Sequence, residues 1–225
     1  MAIDQKRRQK QLARKAAKRK RILSDKKAIQ RKMHVSSLRG LIAIASNSPI
    51  HECLGPTGIF DFGLGDVVIS RKMPDGSIAA SVFLVDTFCL GVKDCFFTVV
   101  SPHEYERRMT DLRQKEGLER VDPEHAVKLI ENAVAYAKDL GFNPHKEYPL
   151  VKRIFGSIDA SISLTEFEFG KDGKPFYVSG PSQSEADSKK IINTLTERLG
   201  PDGFHYMVGM DPGEDWGEEE DTDSL

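Results

Sequence analysis

Two apolar runs on either side of Pro74-Asp75-Gly76 constrain this chain more than any other feature. Leu64–Lys72 (LGDVVISRK) and Ser77–Phe88 (SIAASVFLVDTF) are rich in Val, Ile and Phe, residues that suit a pleated, partly buried strand. Between them Pro presets φ and Gly accepts the positive φ of a tight turn, so the pair reads as an antiparallel hairpin. In the second run Ile78, Ala80, Val82 and Leu84 share one side, and Ala79, Ser81, Phe83 and Val85 the other. Both sides are mostly apolar, which predicts a central strand covered twice.

The remaining elements follow from period and punctuation. His51–Leu54 adds a third strand before the hairpin, and the unbroken apolar run Cys95–Val100 is either strand or helix. Ser101-Pro102-His103-Glu104 opens a helix with a capping box, and Asp122-Pro123 opens a second. There Ala126, Leu129, Ile130, Ala133, Val134 and Ala137 form the buried stripe, stopped by Gly141. A short helix is expected over Leu150–Phe155. Glu166–Phe169 and Lys174–Val178 flank Gly170-Lys171-Asp172-Gly173 as a second hairpin. Ser182–Gly200 makes a final amphipathic helix with Ile191, Ile192, Leu195 and Leu199 inward, and Phe204–Met210 returns as an edge strand. The fold class is α+β, an antiparallel sheet of two hairpins packed with about three helices.

Charge divides the chain in a different way. The net charge is −1, but residues 1–32 carry a net +12 and residues 211–225 a net −8. The domain reading is a basic arm over 1–37, disordered alone and helical when bound, a single globule over 38–210, and a disordered acidic tail over 211–225. Hydrophobic residues at 39% and 12 Phe exclude a wholly disordered protein. No apolar run approaches the ~18 residues that a membrane span requires. Three cysteines in unrelated positions and no signal peptide predict a reducing cytoplasm without a disulfide framework.

The arm points to nucleic acid. Lys6, Arg7, Arg8, Lys10, Arg14, Lys15, Lys18, Arg19, Lys20 and Arg21 would each neutralise a phosphate and release counterions. With no aromatic side chain among them to stack on bases, the arm is expected to read backbone and shape. A solubilising or targeting tail is the plainer use of the same residues.

The densest polar cluster runs from Leu84 to Cys95 (LVDTFCLGVKDC). Asp86 ends the apolar strand, and Lys93 and Asp94 follow in a turn marked by Gly91; with His145 these three are the catalytic candidates if the chain is an enzyme. Asp86, Asp94 and Glu168 form the candidate set for a hard cation such as Mg²⁺, with Glu166 also available. The bland reading makes Asp86 a turn cap and Lys93–Asp94 a surface pair. His145 is either a general base or an anchor for its loop. Cys89 with His145 gives a possible nucleophile and base. His51-Glu52-Cys53 with Cys89 and Cys95 lacks the paired spacing of a zinc site. The turn Ser179–Ser182 opens the last helix and lacks a P-loop ending.

VFLVDTFCLGVKD, followed by AKDLGFNPHKEY and EFGKDGKPFYVSGP, resembles a widespread bacterial family whose members often begin with a Lys-rich arm. The likeness spans roughly residues 50–200. It implies a bacterial cytoplasmic origin and carries no assigned activity. Gly141–Tyr148 (GFNPHKEY) is also similar to the glycine-aromatic, histidine-lysine loop of prokaryotic ribonucleases H, which cut RNA through metal-bound carboxylates. The Asp-Glu start motif of that family is absent here.

These readings converge on an RNA-associated or ribosome-associated protein of the bacterial cytoplasm, with no resident cofactor and no membrane partner. One alternative is a metal-dependent nuclease or hydrolase built on Asp86, Asp94 and Glu168. Another is a protein-interaction module.

Overall fold

The computed structural model describes residues 37–180 and 183–208. It is an α+β protein. The described chain opens with helix α1 (37–46), then runs β1 (Ile50–Pro56), α2 (Ile59–Phe62), β2 (Leu64–Lys72), β3 (Ile78–Asp86) and β4 (Gly91–Val100). Helix α3 (Pro102–Glu116), β5 (Leu118–Arg120), α4 (Pro123–Asp139) and α5 (Tyr148–Val151) follow, and α5 tightens into a 3₁₀ turn over Lys152–Phe155. A 3₁₀ turn (Ala160–Ile162), β6 (Phe176–Val178), α6 (Glu185–Leu199) and β7 (His205–Met207) complete it. The main sheet is antiparallel in the order β4-β3-β2-β1-β5.

The β2–β3 hairpin forms where the sequence predicts it. Asp75 Oδ1 accepts from the Ser77 amide at 2.9 Å and its hydroxyl at 2.6 Å, and Gly76 takes φ +84°. Pairing runs without a break from Leu64↔Asp86 to Lys72↔Ile78. Alternation then divides β3 between two cores. Phe83 and Val85 join Val67, Ile69 and the stripe of α4, with Tyr148, Val151 and Ile154. Ile78, Ala80 and Val82 join Leu54, Val68 and Leu118 beneath Tyr105 and Met109 of α3. Burying each large apolar side chain contributes about 1.5–3 kcal/mol.

Helix α4 buries seven side chains, α3 only Tyr105 and Met109. The α4 side is therefore the thicker core. Small residues let β4 approach α4 closely. A Cβ on Gly91 (φ +65°) would lie 2.7 Å from the Ala133 carbonyl and 2.8 Å from the Ala137 methyl. On the same face the buried guanidinium of Arg71 donates to the carbonyls of Ser48 (2.6 Å), Ile154 (2.7 Å) and Phe155 (2.6 Å). It caps the 3₁₀ turn and ties that turn, and the loop after α1, to the sheet.

Several expectations change. Of the second hairpin only the turn survives: Lys171 and Lys174 form one bridge, while 163–169 forms no strand. Phe167 and Phe169 explain this, since both rings pack on Phe60 and Phe169 also stacks on Tyr136. β6 instead pairs in parallel with β7, so Phe204–Met210 supplies no edge to the main sheet. Cys95–Val100 is strand, and Lys93–Asp94 lie within β4 at a register shift rather than in a turn. Ser101 caps α3, accepting from the Glu104 amide at 3.3 Å, but Glu104 itself turns to Arg107 and Arg108. Asp122 makes no side-chain cap bond to α4. Ser184 caps α6 by accepting from the Asp187 amide at 3.1 Å, and Leu199 is exposed rather than inward.

Candidate functional site

The β3–β4 end holds Asp86 and Lys93 together. Asp86 is 6% exposed; its Oδ1 accepts from the amides of Phe88 (3.0 Å) and Cys89 (2.8 Å), and its Oδ2 lies 3.9 Å from Lys93 Nζ. Burial pushes its carboxyl above the usual range, against the pull of Lys93 and the turn's amides. This is a turn cap with a cationic neighbour, the bland reading of the sequence.

Asp94 and His145 form a separate group. Asp94 pairs across from Leu84 and is mostly exposed. His145 Nδ1 lies 3.6 Å from Asp94 Oδ1 and 3.8 Å from Cys95 Sγ. Both contacts fall on one ring nitrogen, so no relay runs from carboxylate through imidazole to thiol. Burial holds the Cys95 thiol up at about 12, far from thiolate at neutral pH. The backbone of His145 anchors its loop, donating to the Val92 carbonyl at 2.9 Å.

The residues of the hydrolase alternative are not brought together. Glu168 is exposed on the 163–169 segment, between the rings of Phe167 and Phe169 that hold that segment down. Among the described residues no three His, Cys, Asp or Glu side chains gather as a metal-binding group. Cys89 packs with Leu140, Tyr177, Leu195 and Phe204 rather than beside His145, and burial raises its pKa further. His51 lies edge-on to Tyr105 at 5.1 Å. Glu52 binds Tyr105, Arg113 and Arg120 on the α3 side, while Cys53 enters the α4 core. That divides the zinc candidates between two faces.

The feature that residue types alone did not mark is a groove of about 560 Å³ between α1, the outer strand β4 and α5. Arg39, Lys146 and Arg153 line it with Phe96 and Phe97, and among the described residues Glu147 is the one acidic residue on its walls. All three cations are exposed. Phe96 is 49% exposed at the sheet edge. Lys146 lay in the loop singled out from sequence, but Arg39 and Arg153 are over a hundred positions apart and only the fold joins them. Lys6, Arg7, Arg8, Lys10, Arg14, Lys15, Lys18, Arg19, Lys20 and Arg21, and the tail 211–225, lie outside the described residues.

No family model, no curated protein and no solved structure matches this chain. The class the fold defines is an α+β protein with a two-sided antiparallel sheet. Among the described residues no helix is long and apolar enough to cross a membrane.

Proposed function

We propose that this is an RNA-binding protein of the bacterial cytoplasm, whose basic N-terminal segment supplies most of the affinity and whose α1–β4–α5 groove continues the contact. The observation that carries this reading is the position of the groove. Its wall begins at Leu38 and Arg39, a few residues after the segment 1–32 with a net charge of +12. A polyanion held by that segment passes next along Arg39, Lys146 and Arg153. Each phosphate neutralised lowers the salt exponent of binding by about 0.7–0.9.

The test is fluorescence anisotropy of a labelled RNA titrated with the full-length chain across a range of salt. Replacing the ten arm cations by Gln should remove most of the binding. Replacing Arg39, Lys146 and Arg153 by Ala should weaken it and reduce the salt slope by about 2. An arm variant with an unchanged dissociation constant in about 0.1 M salt would sink the reading.

A further inference from the structure

We infer that the β4 edge binds unpaired nucleotides, with one base stacked on the ring of Phe96; this rests on the RNA-binding reading above. The arm has no aromatic residue, so sequence alone pointed to recognition of backbone and shape. The fold supplies the missing ring. Phe96 lies between Cys95 and Phe97; Cys95 is buried in the α4 core and Phe97 packs against it, so alternation turns Phe96 to the other face. There α3 covers Val82 and Ala80 of the neighbouring strand with Tyr105 and Met109, while Phe96 stays 49% exposed.

An isolated exposed Phe needs no explanation, but the setting of this one does. Phe96 lines two grooves at once. On one side is the cationic groove of Arg39, Lys146 and Arg153. On the other is a smaller cleft floored by Ala80, Val82, Thr98 and Val100 against α3. The cations of the second cleft, Arg107 and Arg108, are both engaged by Glu104 at 2.7–3.0 Å. Charge complementarity therefore places the phosphates in the first groove, and the apolar second cleft receives the base that the ring carries. Single-stranded nucleic acid needs this combination, a cationic track beside an aromatic platform. A paired duplex hides the faces of its bases and gains nothing from the ring.

The experiment uses the full-length chain and three RNAs of equal length: an unstructured strand, the same strand with abasic sugars, and a perfect hairpin. Wild type should bind the unstructured strand roughly tenfold more tightly than the abasic one, since a stacked base contributes about 1–3 kcal/mol. Phe96→Leu keeps an apolar side chain at an exposed position and should lose that preference while binding the abasic strand as before. Phe96→Trp should retain it. Wild type that binds base-bearing and abasic strands equally would overturn the inference, whatever the variants do, and would leave the RNA-binding reading standing. Wild type that binds none of the three would remove both. A Phe96→Leu chain that sediments as a smaller species while keeping the base preference would assign the edge to a second copy and overturn the stacking role.

Discussion

The hydroxyl of Tyr105, on α3, lies 3.0 Å from a carboxylate oxygen of Glu52, in β1. The Glu52 side chain is 2% exposed and is held also by Arg113 at 2.9 Å and Arg120 at 2.9 Å, while Ser70 donates to its backbone carbonyl at 2.8 Å. This network attaches the thin helix α3 to the sheet, where only Tyr105 and Met109 are buried. Arg120 is 75% exposed and can turn to water, so Glu52→Ala costs the contacts of Tyr105 and Arg113 and should destabilise by about 1–3 kcal/mol. Tyr105→Phe, which loses the hydroxyl's contacts with Glu52 (3.0 Å) and Ser70 (2.9 Å), should cost about 1–3 kcal/mol. Urea titration of both variants checks this, and near-neutral values would mean that α3 is held by apolar contact alone.

Alternation along β3 predicts unequal costs for adjacent residues. Phe83 is fully buried against Tyr148 and Phe155, whereas Leu84 is half-buried between Asp66 and Asp94. Phe83→Ala should destabilise by about 3–5 kcal/mol, and Leu84→Ala by clearly less than the 2–5 kcal/mol of a fully buried leucine. Equal losses in denaturant would contradict the two-core division.

Acidity acts on Asp66. Burial first, then the neighbouring carboxylates of Glu116 and Asp94, raises its pKa from 3.8 to about 6. The folded chain holds this proton more tightly than the unfolded chain does. The resulting stabilisation is fully present below about pH 4 and is lost as pH rises through about 6. Asp66→Asn cannot ionise, so its urea midpoint should gain on wild type between pH 4 and pH 7.5. Parallel pH profiles would remove Asp66 as the cause.

Metal addition separates the two readings of Asp86. As a turn cap it tolerates Asn, which accepts backbone N–H bonds nearly as well. The Tm of Asp86→Asn should stay close to that of wild type, and millimolar Mg²⁺ should shift neither. A Mg²⁺-dependent rise confined to wild type would make the carboxylate a ligand, by mass action on the native state.

The parts legible in the sequence were those governed by neighbours. The β2–β3 turn, the Ser101 cap and the α4 stripe are each written within a few residues, and each forms. The parallel pairing of Phe176 with His205 is not, because it depends on α6 lying between them. β5 is three residues long and has no period to detect. In the sequence Phe96 is one member of an apolar run, and only the strand order reveals that β4 is outermost. Asp86 and Asp94 are close in sequence, yet the register shift after Leu84 and the Lys93 contact lead them to different neighbours.

The parallel β6–β7 pair sets an order of assembly during synthesis. Every strand of the main sheet has been made once Arg120 emerges, and α4 follows directly to cover it. Tyr177 reaches its burial only later, among Leu195 and Phe204, with its hydroxyl 2.9 Å from Ser188. A nascent or truncated chain ending before Glu185 therefore carries a finished sheet with an open apolar seam at Cys89, Leu140 and Tyr177. Leu195 of α6 and then Phe204 close that seam, while the side chains of the short strand β7 stay exposed.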